Sequence, residues 1–236
     1  MTLLEIVQEF CRRQGLPVPS AVVSLGDDQL TQIVGLANEI CEDLDRFSWT
    51  QLVREASWTA TGVEDQGAMS VLAPFCYSSI LNETIYNRTT RLPIYGPVSA
   101  RHWQADKALF TAGPTHEYRI FGGHLFITPA PPATDQLAFE YRSGAMIYNA
   151  NDNAYKPYFT KDDDEFLLPQ ALILRGLRWR WKAEKGFPYA EDFRLYETAV
   201  ADANGRDGGH KTLTMDGCDR PVGPGIIVQP GNWNVS

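Results

Sequence analysis

The chain has 236 residues, of which 44% are hydrophobic and 21% charged, values that are typical of a soluble globular protein. Its net charge of −8 disfavours tight sequence-independent binding to DNA, because that affinity depends on neutralising phosphates. No apolar run approaches the roughly 20 residues of a membrane span, and no signal-peptide pattern is evident. Cys11, Cys41, Cys76 and Cys218 form no C-x-x-C pair, so we interpret them as reduced thiols in a protein that folds in cytoplasm.

Two helices are predicted at the start of the chain. Thr2 and Glu5 have the spacing of a capping box, which indicates a first helix over residues 2–14. Asp27 is the predicted N-cap of a second helix over residues 28–46, because apolar residues keep helical spacing throughout that segment.

The hydrophobic period then changes from helical to alternating. Residues 52–61 favour a strand, residues 65–67 a turn, and residues 68–72 a return strand. The clearest hairpin has Gly122 and Gly123 between two apolar runs, because this pair supplies the positive φ that a two-residue turn needs.

The remaining segments of the middle region are less regular. Residues 75–90 are ambiguous between a strand and an irregular helix, and residues 92–97 are predicted to be a proline-bounded loop. Ser99 can cap a short helix that continues to Phe110. Residues 149–157 are predicted to be a polar loop.

Residues 166–203 contain two predicted helices joined at Gly186, which suits the left-handed position after a last helical turn. The first of these helices has two apolar faces. One consists of Leu174, Leu177 and Trp181, and the other of Leu172, Gly176, Trp179 and Ala183. A helix on the outside of a monomer normally has one apolar stripe, so this helix lies either deep in its own domain or between two partners.

A basic strip of Arg175, Arg178, Lys182 and Lys185 lies between these two apolar faces. The strip is either a solvated surface or an interface with a neighbour's acidic residues, such as those at 162–165 or at 191–192. The adjacent tryptophans favour an interface, because Trp and Arg are enriched there. The candidate interface residues of this helix are Leu172, Arg175, Arg178, Trp179, Lys182 and Lys185.

Patterns that indicate catalysis or metal binding are weak. The acidic run at 162–165 is predicted to be a solvated loop whose charge favours the next helix N-terminus. The four histidines lack H-x-x-x-H spacing, and neither a nucleophile elbow nor a phosphate-binding loop is present. Glu83 and Glu117 could perform acid–base work on a glycan. We predict no catalytic residue, no metal ligand and no cofactor.

The last 29 residues of the chain, 208–236, are predicted to be an extended arm, because glycines and prolines recur through them. The arm keeps an apolar patch of Ile226, Ile227 and Val228, and a late Trp233. This patch could add as a strand to the sheet edge of a neighbouring molecule, and the alternative is a disordered tail.

The fold class predicted from this order is α+β. Residues 1–48 and 161–207 are expected to form one helical bundle, with residues 49–160 as a β-rich insertion and residues 208–236 as an extended C-terminal arm.

Five stretches carry a resemblance to a known family through their order and spacing. They are MTLLEIVQEFCRR, WTQLVREASWTATGVEDQG, NETIYNRTTRLPIYGPVSARHWQADKA, YRIFGGHLFITPAP and LLPQALILRGLRWRWKAEKGFPYAEDFRLYETAVADA. Across roughly residues 1–209, the chain resembles the head-to-tail adaptor proteins of short-tailed bacteriophages and related prophages, also described as head-completion or tail-tube A-like connectors.

The resemblance implies a structural virion protein that assembles in the host cytoplasm. It implies a ring of about a dozen copies that joins the portal protein to the tail nozzle protein at the head–tail junction. Genomic DNA would leave through the channel of this ring without tight binding. Two alternatives stay open: a virion-associated peptidoglycan hydrolase that uses Glu83 and Glu117, and a generic soluble oligomeric interaction module.

Overall fold

A computed structural model describes residues 1–108 and 115–208. Within them the fold is mixed α+β, with six α-helices and eleven strands whose pairs are antiparallel. The helices are α1 (Leu3–Gln14), α2 (Asp28–Leu44), α3 (Met69–Leu72), α4 (Ala100–Ala108), α5 (Gln170–Glu184) and α6 (Ala190–Arg206). The strands are β1 (Val53–Thr59), β2 (Asp65–Ala68), β3 (Tyr77–Ile80), β4 (Tyr86–Asn87), β5 (Leu92–Pro93), β6 (Glu117–Phe121), β7 (His124–Thr128), β8 (Gln136–Ser143), β9 (Ile147–Asn149), β10 (Ala154–Lys156) and β11 (Glu165–Phe166).

One hydrophobic core contains side chains from α1, α2, α5 and α6. The predicted capping box of α1 is confirmed, since Thr2 accepts the backbone N–H of Glu5 and the Glu5 carboxylate accepts the N–H of Thr2. Asp27 caps α2 by accepting the N–H of Gln29, as the sequence predicted. Local hydrogen bonds therefore set where both helices begin.

Helix α5 packs against α1, α2 and α6. Gly176 is buried against Ile40 of α2, and the Trp181 ring meets the Phe10 ring of α1 edge-on at 5.8 Å. Trp179 packs on another side against aromatic rings of α6. Both predicted apolar faces of this helix are therefore in contact with helices of the same chain.

The connection between α5 and α6 follows the predicted glycine signal. Gly186 adopts φ 73°, and its N–H donates to the carbonyl of Ala183 at 3.1 Å. The N–H of Phe187 donates to the carbonyl of Lys182 at 2.8 Å. These two bonds satisfy carbonyls at the end of α5 and turn the chain back towards α6.

A three-stranded sheet in the order β10-β9-β11 belongs to the same core as these helices. Met146, Ile147, Phe159 and Phe166 are buried in it. Along the chain, the last buried residue of a second hydrophobic core is Tyr141, and the first residue after it that belongs to the helical core is Met146. This boundary differs from the insertion boundary predicted at residue 160. The strands of this sheet have three residues or fewer, so their sequence pattern does not reveal which core they join.

The second core lies between the remaining two sheets. One sheet has the order β1-β8-β4-β5, with β3 also paired to β8, and the other has the order β2-β7-β6. The predicted hairpin is confirmed, because Phe121 of β6 pairs with His124 of β7 and both intervening glycines have positive φ. The aromatic side chains buried in this core are Tyr118, Phe139 and Tyr141, and the core also contains Leu125, Ile127 and Leu137.

The predicted turn at 65–67 and the predicted return strand at 68–72 are wrong. Residues of the supposed turn form β2, which pairs with β7 and is irregular between Asp65 and Gly67. The Asp65 carboxylate accepts the N–H of Gly67 at 2.9 Å, a local bond that is common in turns, so the composition alone was misleading. Residues that follow β2 form the short helix α3 rather than a strand.

Short strands also occupy segments that were predicted as loops or left ambiguous. The polar loop predicted at 149–157 contains β10, residues 75–90 contain β3 and β4, and residues 92–97 contain β5. None of these strands has more than four residues, too few for a periodic hydrophobic signal. Helix α2 ends at Leu44, two residues before its predicted end at 46.

The acidic run at 162–165 is not a solvated loop. The two carboxylate oxygens of Asp162 accept the backbone N–H groups of Val22 and Val23 at 3.0 and 2.8 Å. Asp164 is completely buried. Asp162 therefore binds the connector between α1 and α2, Asp164 is buried, and Glu165 alone of the four is exposed.

Asp164 is the centre of a buried polar network. Its carboxylate accepts hydrogen bonds from the Asn149 side chain at 2.6 Å, from Lys156 at 2.9 Å, and from the backbone of Thr160 and Lys161 at 2.7 and 2.9 Å. Burial favours the neutral acid, but these hydrogen bonds outweigh it and lower the pKa of Asp164 to about 2. The carboxylate is therefore a structural charge whose acceptor capacity is filled.

The cysteines of the described residues are free thiols, in agreement with the prediction. Burial raises the pKa of Cys11 and Cys76, and it raises that of Cys41 to about 12. Cys218 lies outside the described residues, as does the end predicted at Phe110 for the helix that became α4.

The described chain ends next to the start of the β-rich part. Asp207 accepts the hydroxyl of Thr50 at 2.7 Å and also the backbone N–H of Thr50, at the start of a short 3-10 helix. Apart from Gly208, the predicted arm at 208–236 lies outside the described residues.

Candidate functional site

A cleft of about 560 Å³ lies between α1, α5 and α6. It combines an apolar lining with several cations and one carboxylate. This arrangement is typical of surfaces that bind another protein chain, because apolar burial supplies affinity and guanidinium groups supply directed hydrogen bonds. The lining residues are Phe10, Arg13, Gln14, Leu174, Arg175, Arg178, Lys182, Asp192 and Leu195.

Asp192 neutralises part of this cationic cleft. Its Oδ1 atom is 2.9 Å from Nε of Arg178, and its Oδ2 atom accepts a hydrogen bond from Lys182. The carboxylate is 9% exposed and lies in the first turn of α6, where the helix dipole favours a negative charge. The sequence suggested that Asp192 of a neighbouring subunit could contact the basic strip. In the structure, Asp192 contacts Arg178 and Lys182 of its own chain.

Arg175 forms no salt bridge with any residue that the structure describes. Its Nη1 atom donates to the backbone carbonyl of Leu195 at 3.2 Å, which leaves most of its donors available. The side chain lies between the cationic cleft and a second cleft of about 370 Å³, which Leu172 also lines. Arg13 is paired at 2.8 Å with Glu9 on α1.

The Trp179 ring is surrounded by three aromatic rings. Phe193 and Tyr196 belong to α6, and Tyr189 is the residue before this helix. The ring centroids of Tyr189, Phe193 and Tyr196 are 6.3, 5.0 and 6.2 Å from that of Trp179. The guanidinium carbon of Arg180 lies 4.8 Å from the same ring. Trp179 therefore connects α5 to α6 and is not part of the cationic cleft.

The structure divides the candidate interface residues of α5 into three groups. Arg175, Arg178 and Lys182 line the cationic cleft, and Leu172 lines the second cleft beside it. Trp179 faces α6. Lys185 faces α2, where it donates to the Gln32 side chain at 3.0 Å. The candidates of the arm, Ile226, Ile227, Val228 and Trp233, lie outside the described residues.

A cluster of glutamates forms an acidic surface on the β-rich part. Glu55 and Glu140 are directly opposite each other on β1 and β8, and Glu83 lines the same cleft of about 290 Å³. Like charges in opposite positions destabilise a strand pair, and Arg88 offsets part of this repulsion through a 2.9 Å contact with Glu55. Sequence reasoning missed the cluster because it depends on the register between β1 and β8.

The two glutamates of the hydrolase alternative lie in different clusters. Glu83 belongs to the acidic cleft, whereas Glu117 begins β6 and has its Oε2 atom 2.9 Å from Nε2 of His102. An acid–base mechanism needs both carboxyl groups on one glycosidic bond. Among residues 1–108 and 115–208, neither the cationic cleft, nor the second cleft beside it, nor the acidic cleft is lined by both Glu83 and Glu117.

No protein-family model and no curated protein matches this chain. Among the helices of the described residues, none combines the length and the apolar character needed to cross a bilayer.

Proposed function

We propose that this protein is a structural subunit of the head–tail junction of a short-tailed bacteriophage. It forms a ring adaptor between the portal and the tail, and the ring lines the channel through which DNA leaves. Two facts support this proposal: five stretches over roughly residues 1–209 resemble such adaptors in order and spacing, and the α+β fold is of the class that the resemblance implies. The proposed ring rests on one observation, which is that the chain has two clefts of opposite charge.

A closed ring of identical subunits needs two different, complementary surfaces on each copy. The cationic cleft is lined by α1, α5 and α6, and the acidic cleft by β1, β4, β8 and the segment before β4. The two clefts share no lining residue, so one copy can present its cations to the acidic cleft of the next. Such charge complementarity fixes register and suppresses wrong pairings.

The cationic cleft provides the stronger anchoring chemistry of the two. Arg175 lies on its edge with most of its donors free, and the neighbouring Leu195, which is 39% exposed, supplies apolar area. Arginine is one of the residues enriched at interface hot spots. We therefore assign the ring contact to Arg175, with Arg178 and Lys182 as its supporting charges.

The finer architecture of the proposal follows the resemblance. The helices of both ends form the bundle of the ring body, and the β-rich region projects from it. The arm at 208–236 contacts the portal or a neighbouring copy through Ile226, Ile227, Val228 and Trp233. A chain that ends at Asp207 should keep the Thr50–Asp207 hydrogen bonds and fold, yet fail to form a stable junction.

Genomic DNA is a passing partner rather than a bound ligand in this proposal. A chain of net charge −8 is expected to bind duplex DNA with a Kd of about 10⁻⁴ M or weaker near physiological salt. A mobility shift with the purified protein measures this affinity. Submicromolar binding that weakens with salt would mean that the cationic cleft faces DNA instead of another subunit.

The ring contact is tested by charge reversal. Light scattering and negative-stain microscopy, with the portal protein of the same phage present, should detect a ring of about a dozen copies. Arg175→Glu should prevent ring formation, and the double variant Arg175→Glu with Glu140→Arg should recover part of it. Arg46→Glu makes the same change at an exposed residue that lines neither cleft and serves as the matched control for net charge.

Each outcome decides a separate point. If Arg175→Glu forms rings as readily as the unchanged chain, the cationic cleft is not the contact. If the double variant is no better than the single one, Glu140 does not receive Arg175. If the unchanged protein neither binds the portal nor is present in purified virions, the adaptor function itself is wrong, and a generic interaction module becomes the better description.

The hydrolase alternative has a direct assay. If the adaptor proposal is right, adding the purified protein should leave the turbidity of a peptidoglycan suspension unchanged. Clearing that disappears in both Glu83→Gln and Glu117→Gln would favour the enzyme instead.

A further inference from the structure

A histidine and two carboxylates converge where α4 meets the start of β6. Nε2 of His102 is 3.4 Å from Oδ2 of Asp106 and 2.9 Å from Oε2 of Glu117. The three atoms lie within 4.8 Å of one another. The sequence shows His102 and Asp106 at i, i+4 on one helical face, but nothing in it shows that Glu117 joins them.

The backbone around this cluster is fixed by its own contacts. Ser99 accepts the N–H of His102 at 3.2 Å and so caps the first turn of α4. The buried Trp103 sets the rotation of the helix through its edge-on contact with Phe121 at 6.5 Å. Glu117 is held by the pairing of β6 with β7. The three side chains therefore start from positions that folding has already set.

The two carboxylate oxygens that face His102 are covered and unsatisfied. Asp106 Oδ2 and Glu117 Oε2 each expose less than 1 Å² and accept no hydrogen bond of acceptable geometry from the residues that the structure describes. Nε2 of an imidazole carries at most one proton, so it can satisfy only one of the two. A covered carboxylate oxygen without a donor costs free energy, and a divalent cation would serve both at once.

The spacing of the three atoms suits one metal ion. Ligand atoms about 2.1 Å from a common ion lie roughly 3.0–3.4 Å from one another at octahedral or tetrahedral angles. The distances from Nε2 to the two oxygens, 2.9 and 3.4 Å, match this spacing, and the two oxygens lie within 4.8 Å of each other.

We propose that His102, Asp106 and Glu117 form a binding site for a first-row divalent transition-metal ion such as Zn²⁺. An imidazole with two carboxylates is a mixed nitrogen and oxygen set, which favours such ions over Mg²⁺ and Ca²⁺. The His102 side chain is 54% exposed, so the remaining coordination positions are open to water. The nearby Lys107 is paired with Glu64 and does not compete for the two carboxylates.

The ion would act as a structural clip. It joins α4, a helix of nine residues with one buried side chain, to the sheet of β6 and β7. Binding energy at a site that exists only in the folded state adds to stability. The site does not depend on the adaptor proposal, because it would stabilise the monomer as well as a ring.

Calorimetric titration of the full chain, first stripped with a chelator, tests this site with Zn²⁺ alone. We expect saturation at one Zn²⁺ per chain, a rise in Tm on binding, and much weaker binding of Mg²⁺. His102→Asn and Glu117→Gln should each weaken Zn²⁺ binding by at least about tenfold, the lower end of the loss seen when even outer-shell groups are changed. Circular dichroism verifies that both variants are folded.

The matched control is His124→Asn. His124 also contacts a carboxylate, that of Asp65 at 3.1 Å, but no second carboxylate from residues 1–108 or 115–208 joins this pair in a metal-binding cluster. Zn²⁺ binding should be unchanged in this variant. The absence of saturable binding would overturn the proposal, as would equal affinities in the unchanged chain, His102→Asn and Glu117→Gln. A loss in His124→Asn as large as in His102→Asn would place the ion elsewhere.

Discussion

Gly176 of α5 lies directly against Ile40 of α2, so closely that a Cβ on Gly176 would be 2.8 Å from Cδ1 and 2.9 Å from Cγ1 of Ile40. The two helices can approach this closely because one has no side chain at the contact. Ile40 is completely buried and cannot move away without displacing other core residues.

Gly176→Ala should therefore destabilise the protein. Overpacking costs about 1–3 kcal/mol, and the better helix propensity of alanine returns up to about 1 kcal/mol, so the net loss should be about 1 kcal/mol. Gly35→Ala is the matched control, because Gly35 lies in α2 with no atom near its missing Cβ. This control should gain about 0.5–1 kcal/mol. Urea unfolding followed by circular dichroism measures both, and shifts in the same direction would contradict the close contact.

Asp164→Asn should destabilise the protein by about 3 kcal/mol, because it leaves Lys156 without its buried anionic partner. The variant keeps the shape of the side chain, so the loss reports the charge. Glu165→Gln is the control, since this neighbouring residue is exposed. Equal free energies of unfolding for the two variants would show that the buried network is not a major source of stability.

The same carboxylate should make stability depend on pH. The pKa of Asp164 is lowered from an ordinary 3.8 to about 2, so its contribution is present above about pH 4 and is lost as the pH falls towards 2. The shift corresponds to about 2 kcal/mol. Unfolding measured across this pH range should show the decline in the unchanged chain and a smaller decline in Asp164→Asn. Parallel curves would mean that other acids cause the acid sensitivity.

Trp179→Ala should loosen α6 rather than only weaken contacts with other subunits. The ring is half-buried among Tyr189, Phe193 and Tyr196, so we expect a loss of about 2–3 kcal/mol, below that of a fully buried tryptophan. Hydrogen exchange should report faster exchange of the α6 amides. Phe187→Ala removes an exposed ring nearby and should change neither quantity. Unchanged protection of α6 would instead leave the Trp179 ring as a contact for a neighbouring copy.

Cys41 should be inert in the folded protein. Burial raises the pKa of its thiol to about 12, so at pH 8 only about one molecule in 10⁴ carries the reactive thiolate. Brief treatment with iodoacetamide followed by peptide mass spectrometry should leave Cys41 unmodified without denaturant and modify it fully in urea. The half-buried Cys76 should react faster than Cys41 without denaturant. Rapid labelling of Cys41 in the native protein would indicate that α2 opens locally.

The sequence was sufficient where local interactions decide the structure. The capping box of Thr2 and Glu5, the cap at Asp27 and the glycine hairpin at Gly122 all involve residues within a few positions of each other. The two apolar faces of α5 were also predictable, because they need only helical periodicity. That both faces pack on helices of the same chain could not be predicted, since the answer depends on where α6 folds.

Where partners are distant in sequence, prediction failed for physical reasons. The acidic run was interpreted as solvated because four charges in a row usually face water, yet Asp164 gains partners once β9 and β10 fold next to it. The opposition of Glu55 and Glu140 depends on strand register. Glu117 reaches His102 through the placement of β6 against α4, which no local spacing shows.

The hydrogen bonds between α1 and the segment before α5 constrain when the chain can fold during synthesis. The N–H of Leu3 donates to the carbonyl of Asp164, and the N–H of Phe166 donates to the carbonyl of Met1. The ribosome therefore synthesises α1 long before Asp164 and Phe166. During translation of the β-rich region, α1 lacks these hydrogen-bonding partners and remains an amphipathic segment with its apolar face incompletely covered. Contacts between such distant residues slow folding. Nascent chains of this protein should consequently require protection from aggregation until residues near 166 have emerged.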